Sequence, residues 1–407
     1  MKVVLTGMGA ITAAGAGVPR FVHATDGWRT ALAPAGTIAP HGLPVVDVGR
    51  VPDDALAGEA GDDRALRLAL PSVVEALRSA AIRPGETARR IDLCQLGTSL
   101  GGMETAEQLR RVARGSTEPP GRFAQAGCHG ITAALAARLH LRAQVATCNS
   151  TCASGLVALL LASERIRRGE ARIALVVAVD ALSPFVYAGF HALGALATGR
   201  CAPWDSGSTG MALAEGAACV VIESEESAEE RGVAALAEIA GVASMNDAHH
   251  LFAPHPEGRG LAAALEQALK EAALPASQLG LVVGHGIGTP QSDFAELRAL
   301  AHVLGGERTI ADRVPLTSWK GALGHPLAAA GLLSLIRAVA ALQVQRVPPI
   351  IGLRHPVATF PVRLPKEPET VRSPWAAVLA AGLGGQAAAL VLRRITPRRE
   401  LAGVPAT

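Results

Sequence analysis

Cys152 stands in Asn149-Ser150-Thr151-Cys152-Ala153-Ser154-Gly155, where a strand-like stretch, Gln144 to Cys148, gives way to an apolar helical stretch, Leu156 to Ile166. A cysteine at the first turn of a buried helix faces unpaired backbone N–H groups and the positive end of the helix dipole, which both favour thiolate over thiol. Two histidines lie far downstream in glycine-flanked turns, His285 in Gly284-His285-Gly286 and His325 in Gly324-His325-Pro326. Such turns bring a side chain close to a reacting atom, and a thiolate with two histidines points to acyl-transfer chemistry. Lys320, in Ser318-Trp319-Lys320-Gly321, joins them: Lys2, Lys270, Lys320 and Lys366 are the only lysines in a chain that otherwise takes its positive charge from arginine.

These residues need elements to hold them. The first half reads as a strand at Val3 to Gly7, a helix near Arg64 to Ala81, a strand at Asp92 to Thr98, the strand ending at Cys148 and the helix after Cys152. Apolar strands at Ile173 to Val179 and Ala217 to Ile222 close it. The second half repeats the order with a strand at Ala237 to Val242, a helix at Gly260 to Ala273, a strand at Leu279 to Gly284 and a helix at Asp293 to Leu304. The apolar helix after His325 and strands at Ala376 to Ala381 and Ala387 to Leu392 complete it. This alternation predicts α/β layers with sheets covered on both faces. The helices after Cys152 and His325 are apolar nearly all round, so each belongs between two sheets. A layered duplication would bring their N-termini, and with them Cys152 and His325, to one site. The charged stretch Glu223 to Arg231 marks the boundary, giving halves 1–230 and 231–407.

Of 407 residues, 49% are hydrophobic and only 18% charged, a balance that excludes disorder and leaves much of the surface to be covered by the fold or a partner. The longest apolar run, Pro326 to Val344, is interrupted by Arg337 and rich in Ala and Gly, which predicts a buried helix and no membrane span. The N-terminus runs straight into a strand without a cleavage-site pattern, so a cytoplasmic location is expected. Six scattered cysteines show neither zinc-site spacing nor the density of a disulfide framework. His249, His250 and His255 cluster, but no carboxylate or cysteine pattern completes a metal site. A net charge of +3 is too mild for nucleic acid and compatible with an acidic protein partner.

With these residues in view, the chain resembles the β-ketoacyl-[acyl-carrier-protein] synthases of types I and II, members of the thiolase superfamily. The resemblance runs through Val4-Leu5-Thr6-Gly7-Met8-Gly9, Ser150 to Gly155, Pro203-Trp204-Asp205, Gly284-His285-Gly286 with Thr289-Pro290, Lys320 through Gly324-His325, and Gly382-Leu383-Gly384-Gly385, in the family's order. It implies a duplicated thiolase-like fold of five αβαβα layers, two mixed sheets around buried central helices. It also implies roles. Cys152 would take an acyl group from the phosphopantetheine thioester of acyl-carrier protein, in an oxyanion hole of the Cys152 and Leu383 amides. His285 and His325 would hold a malonyl thioester carbonyl as carbon dioxide leaves. Lys320 and Glu296 would form a buried ion pair, Asp293 also fits the pattern, and Thr289, Leu383, Gly384 and Gly385 would contact substrate. No cofactor of its own is implied.

The chain departs from the pattern at Ile287, where a threonine is usual, at Leu383, where a gating phenylalanine is usual, and at Gln386-Ala387. These departures point to a specialised fatty acid, polyene or polyketide pathway. The resemblance further implies a homodimer or a heterodimer with a ketosynthase-like subunit, paired through a strand near Ile173 to Val179. Arg110, Arg111 and Arg114 would greet an acidic carrier protein or simply form a solvated helix face. Three rivals stand beside the condensing enzyme. A degradative thiolase needs a second cysteine, which Ala380 to Ala387 lacks; a non-catalytic chain-length partner subunit and a condensation-free acyltransferase remain open.

Overall fold

Strands such as Ile173-Ala174-Leu175-Val176-Val177-Ala178-Val179 are apolar on both faces because both faces are covered. Ile173, Leu175, Val177 and Val179 point into one core and Ala174, Val176 and Ala178 into another. The computed structural model describes residues 1–27, 30–59, 61–115, 117, 123–305, 313–357 and 361–395. Its first half contains β1 (Val3–Thr12), α1 (Arg64–Ser79), β2 (Leu93–Gly97), β3 (Gln144–Cys148), α2 (Ser154–Arg167), β4 (Ile173–Asp180) and β5 (Gly216–Ser224). The second contains β6 (Ala237–Asn246), α3 (Arg259–Glu271), β7 (Leu281–Val283), α4 (Pro290–Leu304), β8 (Val314–Thr317), α5 (Ala330–Val344), β9 (Val362–Arg363), β10 (Trp375–Gly382) and β11 (Gln386–Arg394).

The hydrogen-bonded order in the first half is β1-β5-β4-β2-β3, and in the second β6-β11-β10-β7-β8, with β9 added at the edge. Corresponding neighbours run in the same sense: β1·β5 and β6·β11 antiparallel, β5·β4 and β11·β10 antiparallel, and the remaining shared pairs parallel. One topology is therefore used twice. The two sheets touch at β1 and β6, where Val4 pairs with Glu238 and Leu5 with Ala237.

Three cores separate the layers. α1 covers the outer face of the first sheet with Leu66, Ala69, Val73 and Ala76, and α3 covers that of the second with Leu261, Ala264, Leu265 and Ala268. α2 and α5 lie between the sheets and pack into the central core with alanines of β4 and β10, whose small side chains let helix and strand approach closely. The segment Leu327–Val344 is long and apolar enough to cross a bilayer, yet it is 83% buried inside the protein. Arg337, the interruption in that run, is ion-paired with Asp26.

The charged stretch Glu223 to Arg231 is anchored to the first half: buried Glu223 accepts from Thr6 (2.6 Å), Ser227 (2.8 Å) and Arg231 (3.1 Å). Two details differ from expectation. β8, four residues with a proline and no readable periodicity, occupies in the second sheet the place of β3 in the first and delivers Ser318 and Lys320. The strand expected to pair with a second subunit, Ile173 to Val179, is interior; β2 and β5 already occupy both its edges. The free edge of that sheet is β3, where Gln144 and Val145 are exposed.

Candidate active site

The nucleophile turn joins β3 to α2. Thr151 adopts a φ of 50°, a left-handed conformation uncommon outside glycine, and α2 begins only at Ser154. Short neutral side chains hold the turn. Ser154 Oγ accepts from the Ser150 N–H (2.9 Å) and donates to the Thr151 carbonyl (2.6 Å), while Asn149 Oδ1 accepts from the Thr151 N–H (3.0 Å). A Cβ on Gly155 would stand 2.7 Å from the Ala328 carbonyl, so the starts of the two central segments meet here, as the duplication predicts.

The thiolate expected from the helix dipole is not the resting state. Burial pushes the Cys152 thiol up to about 12, nearby Asp180 adds to the rise, and Lys320 opposes it only in part. Cys152 is 8% exposed, and desolvation of the anion is the largest of the influences on its proton. Asp180 was not singled out from the sequence, although a lone carboxylate ending an apolar strand is a readable signal. It accepts from Thr98 Oγ1 (2.7 Å), the Ser99 and Leu100 N–H groups (2.9 and 3.0 Å) and the Ala328 N–H (2.9 Å), tying the first half to the turn after His325.

The His285 loop is held differently. Glu296 accepts from the N–H groups of His285 (2.5 Å) and Gly286 (2.8 Å). Asp293 accepts from those of Ile287 (3.1 Å), Gly288 (3.2 Å) and Trp204 (2.7 Å). Lys320 Nζ donates to the His285 carbonyl and Ser318 Oγ to that of Gly286 (2.8 Å). The expected ion pair between Lys320 and Glu296 is therefore not a direct contact: Glu296 takes the N–H side of the loop backbone and Lys320 the carbonyl side. Burial raises the Glu296 carboxyl and lowers the Lys320 ammonium. Burial also brings Asp293 up to about 6.

His325 follows Gly324, whose φ is 79°, and is fixed through its backbone by Ala212 (2.8 Å) and Ala214 (3.0 Å). The His285 and His325 rings stand 5.3 Å apart, nearly perpendicular at 88°. Burial, then Lys320, lowers both well below the ordinary imidazole range, so both are neutral. His285 Nδ1 and both ring nitrogens of His325 are buried without partners among the described residues, which leaves donors free for a ligand oxygen.

A cavity of about 510 Å³ brings Cys152, His285, His325, Thr289, Ile287 and Leu383 together. Lys320 and Glu296 do not line it; they hold the backbone of the His285 loop. Leu383 reaches the cavity on a tight turn whose carbonyl accepts from Thr151 Oγ1 (3.3 Å). A Cβ on Gly382 would lie 1.9 Å from that Oγ1, so the turn can rest on the nucleophile only as glycine. Gly384 and Gly385 do not line the cavity; they fasten the turn to 246–251, with Asn246 Nδ2 donating to the Gly384 carbonyl (2.8 Å) and the Gly384 N–H to Leu251 (2.8 Å). Ile287 and Leu383 make the wall apolar where the resemblance led us to expect a hydroxyl and an aromatic ring. The His249 and His255 rings meet at 4.9 Å, tilted by 60°, and among the described residues no cluster of three or more ligating side chains could hold a metal ion. Arg110, Arg111 and Arg114 are exposed on and just after the helix Met103–Ala113.

Comparison with known proteins shows the family to which the chain belongs. The "Beta-ketoacyl synthase, N-terminal domain" family matches residues 54–228, and the "Beta-ketoacyl synthase, C-terminal domain" family residues 236–354. A 3-oxoacyl-[acyl-carrier-protein] synthase 2 of Vibrio harveyi is 31% identical over 76% of this chain and 77% of its own. Among solved structures, the ishigamide ketosynthase/chain length factor is similar over 97% of this chain and 99% of its own, at 26% identity and a TM-score of 0.89. A type II polyketide-synthase acyl-carrier protein in complex with its ketosynthase bound to the hexaketide gives 27% identity and a TM-score of 0.86, with 97% and 99% covered.

Proposed function

The chain belongs to the β-ketoacyl synthase family, with its thiolase-like fold and acyltransferase chemistry, and on that premise we propose that it condenses a Cys152-bound acyl chain with malonyl-acyl-carrier protein. The observation that carries this reading is one cavity holding a buried thiol and two neutral imidazoles with unpaired nitrogens. The thiol adds to the acyl thioester on the carrier's phosphopantetheine arm, its proton passing through an imidazole to the departing arm thiolate. The Cys152 and Leu383 amides serve the oxyanion. The malonyl thioester oxygen then accepts N–H bonds from His285 and His325. Its bond to the carboxylate breaks, carbon dioxide leaves, and the electron pair passes into an enolate that the two donors stabilise. The enolate carbon attacks the acyl-Cys152 carbonyl, and the Cys152 thiolate leaves and takes up a proton.

Neutral imidazoles suit this work, because a donor that keeps its proton can stabilise an enolate without quenching it. Lys320 and Glu296 act through the loop that carries His285, and Thr289 guides the pantetheine arm. The halves are residues 1–230 and 231–407, and the enzyme works in the cytoplasm without a cofactor of its own. An acidic carrier protein docks near the exposed arginines. A homomeric or ketosynthase-like partner adds its strand to the free edge at β3, an unpaired template of N–H and C=O groups. The apolar wall at Ile287 and Leu383 supports a specialised fatty acid, polyene or polyketide substrate.

Mass spectrometry of the protein incubated with acyl-carrier proteins tests the reading: an acyl adduct at Cys152, absent in Cys152→Ala, is expected together with carbon dioxide release from malonyl-carrier protein. The likeness to a ketosynthase/chain length factor structure favours one second reading, a partner subunit that shapes the pocket of a paired synthase. No adduct at Cys152 in the presence of a functional carrier would select it.

A further inference from the structure

Among the described residues, the carbonyls of Ile287 and Gly288, the last two backbone acceptors before Thr289, are reached by no charged side chain. Both are met by a strap running from Cys201 to Ser208. Cys201 Sγ donates to the Ile287 carbonyl (3.4 Å) and Ser208 Oγ to that of Gly288 (2.7 Å), while Ser208 Oγ also accepts from the Ala202 N–H (3.1 Å). Between them the Trp204 ring lies flush against the loop: a Cβ on Gly284 would be 2.9 Å from its edge, and one on Gly286 2.4 Å. The Trp204 N–H donates to Asp293, the same carboxylate that holds the Ile287 and Gly288 N–H groups. The strap's other side is anchored by Asp205, which pairs with Arg200 (2.8 Å) and accepts from the N–H groups of Arg354 (2.5 Å) and His355 (2.7 Å).

We infer that Ser208 and Cys201 are positioning residues that set the register of the His285 loop, and with it the donor that His285 presents to the malonyl carbonyl. The inference rests on the two-histidine reading above. Among the described residues the strap makes none of the hydrogen bonds that hold the Cys152 turn or the His325 backbone, so acylation, with His325 as its proton relay, is separable from the step that depends on His285. Loss of the Ser208 hydroxyl leaves the Gly288 carbonyl, in the tight turn before Thr289, without its donor, and a loop free to shift acts on geometry-sensitive chemistry.

Ser208→Ala, Cys201→Ala and the double variant are compared with wild type in two assays, acylation of Cys152 by acyl-carrier protein followed by mass, and carbon dioxide release from malonyl-carrier protein. We expect acylation within about twofold of wild type and decarboxylation slowed on the order of ten- to a hundredfold, in kcat more than KM. Ser208→Thr, which keeps the hydroxyl, restores most of the rate. Equal losses in both assays, an unchanged decarboxylation rate, or no rescue by threonine overturns the inference. Wild type that releases no carbon dioxide overturns the two-histidine reading and this inference with it, an outcome told apart by the wild-type assay alone.

Discussion

The two turns that face each other across the cavity are built on opposite principles. Around Cys152, hydroxyls and an amide hold a strained Thr151, and every bond is short-range in sequence except those to Ser99 and Leu383. Around His285, two carboxylates and an ammonium brought from elsewhere in the second half hold the backbone. The nucleophile must lose and regain a proton and change partners during turnover, and neutral supports let it do so without rearranging buried charge. The histidines must keep their places and, while the enolate forms, their N–H donors. Charged groups anchored on the loop backbone serve that purpose, while burial, reinforced by Lys320, keeps both rings neutral at rest.

If that contrast holds, the largest penalty falls on the charged side. Glu296→Ala strips two loop N–H groups of their acceptor and leaves Lys320 uncompensated, so denaturant unfolding should lose about 3–5 kcal/mol; Glu296→Gln, which keeps one acceptor oxygen, should lose less. A loss under about 1 kcal/mol would mean the carboxylate is not what holds the loop.

The next effect is chemical. With the Cys152 thiol held up near 12, its alkylation by iodoacetamide should rise roughly tenfold per pH unit from 7 to 9 without a plateau, since thiolate is the attacking species. A plateau near pH 8 would show that burial does not hold the thiol up. The same shift has a stability sign. Because the folded thiol titrates above its unfolded value, the native state binds the extra proton between the two, so its stabilising contribution is complete below about pH 8.5 and is lost as pH rises toward 12. Cys152→Ala should therefore be less sensitive to alkali than wild type when thermal midpoints are compared from pH 8 to 10.

Smaller effects belong to the neutral turn. Ser154→Ala removes a donor to Thr151 and an acceptor for Ser150 and should cost about 1–3 kcal/mol. Asn149→Ala loses exposed bonds to Thr151 and Ser99 and should cost about 0.5–1.5 kcal/mol, read in the same unfolding experiment. If either exceeded the Glu296→Ala penalty, the contrast between the turns would be reversed.

What could be read in the sequence was whatever is local. The apolar central helices, the glycine-flanked histidines and the strand–turn–helix at Cys152 all depend on neighbours in the chain, and they stand where pattern placed them. What failed depends on surroundings the chain supplies from far away. The thiolate was expected from the helix start, but burial by both halves decides the proton. Lys320 and Glu296 are complementary charges, yet nothing in their spacing says that the His285 backbone passes between them. The resemblance implies subunit pairing through a strand near β4, although apolarity on both faces is the mark of an interior strand; the edge, β3, shows exposure that only the assembled sheet reveals.

The middle layer also dictates the order in which the molecule can be finished. Half of it, α5, spans residues 330 to 344, so the first sheet, complete by Ser224, leaves the ribosome with part of its inner face uncovered for over a hundred residues of synthesis. Nascent chains of this protein must pass through a long interval of exposed alanine, valine and leucine before the central helix arrives to close both halves at once.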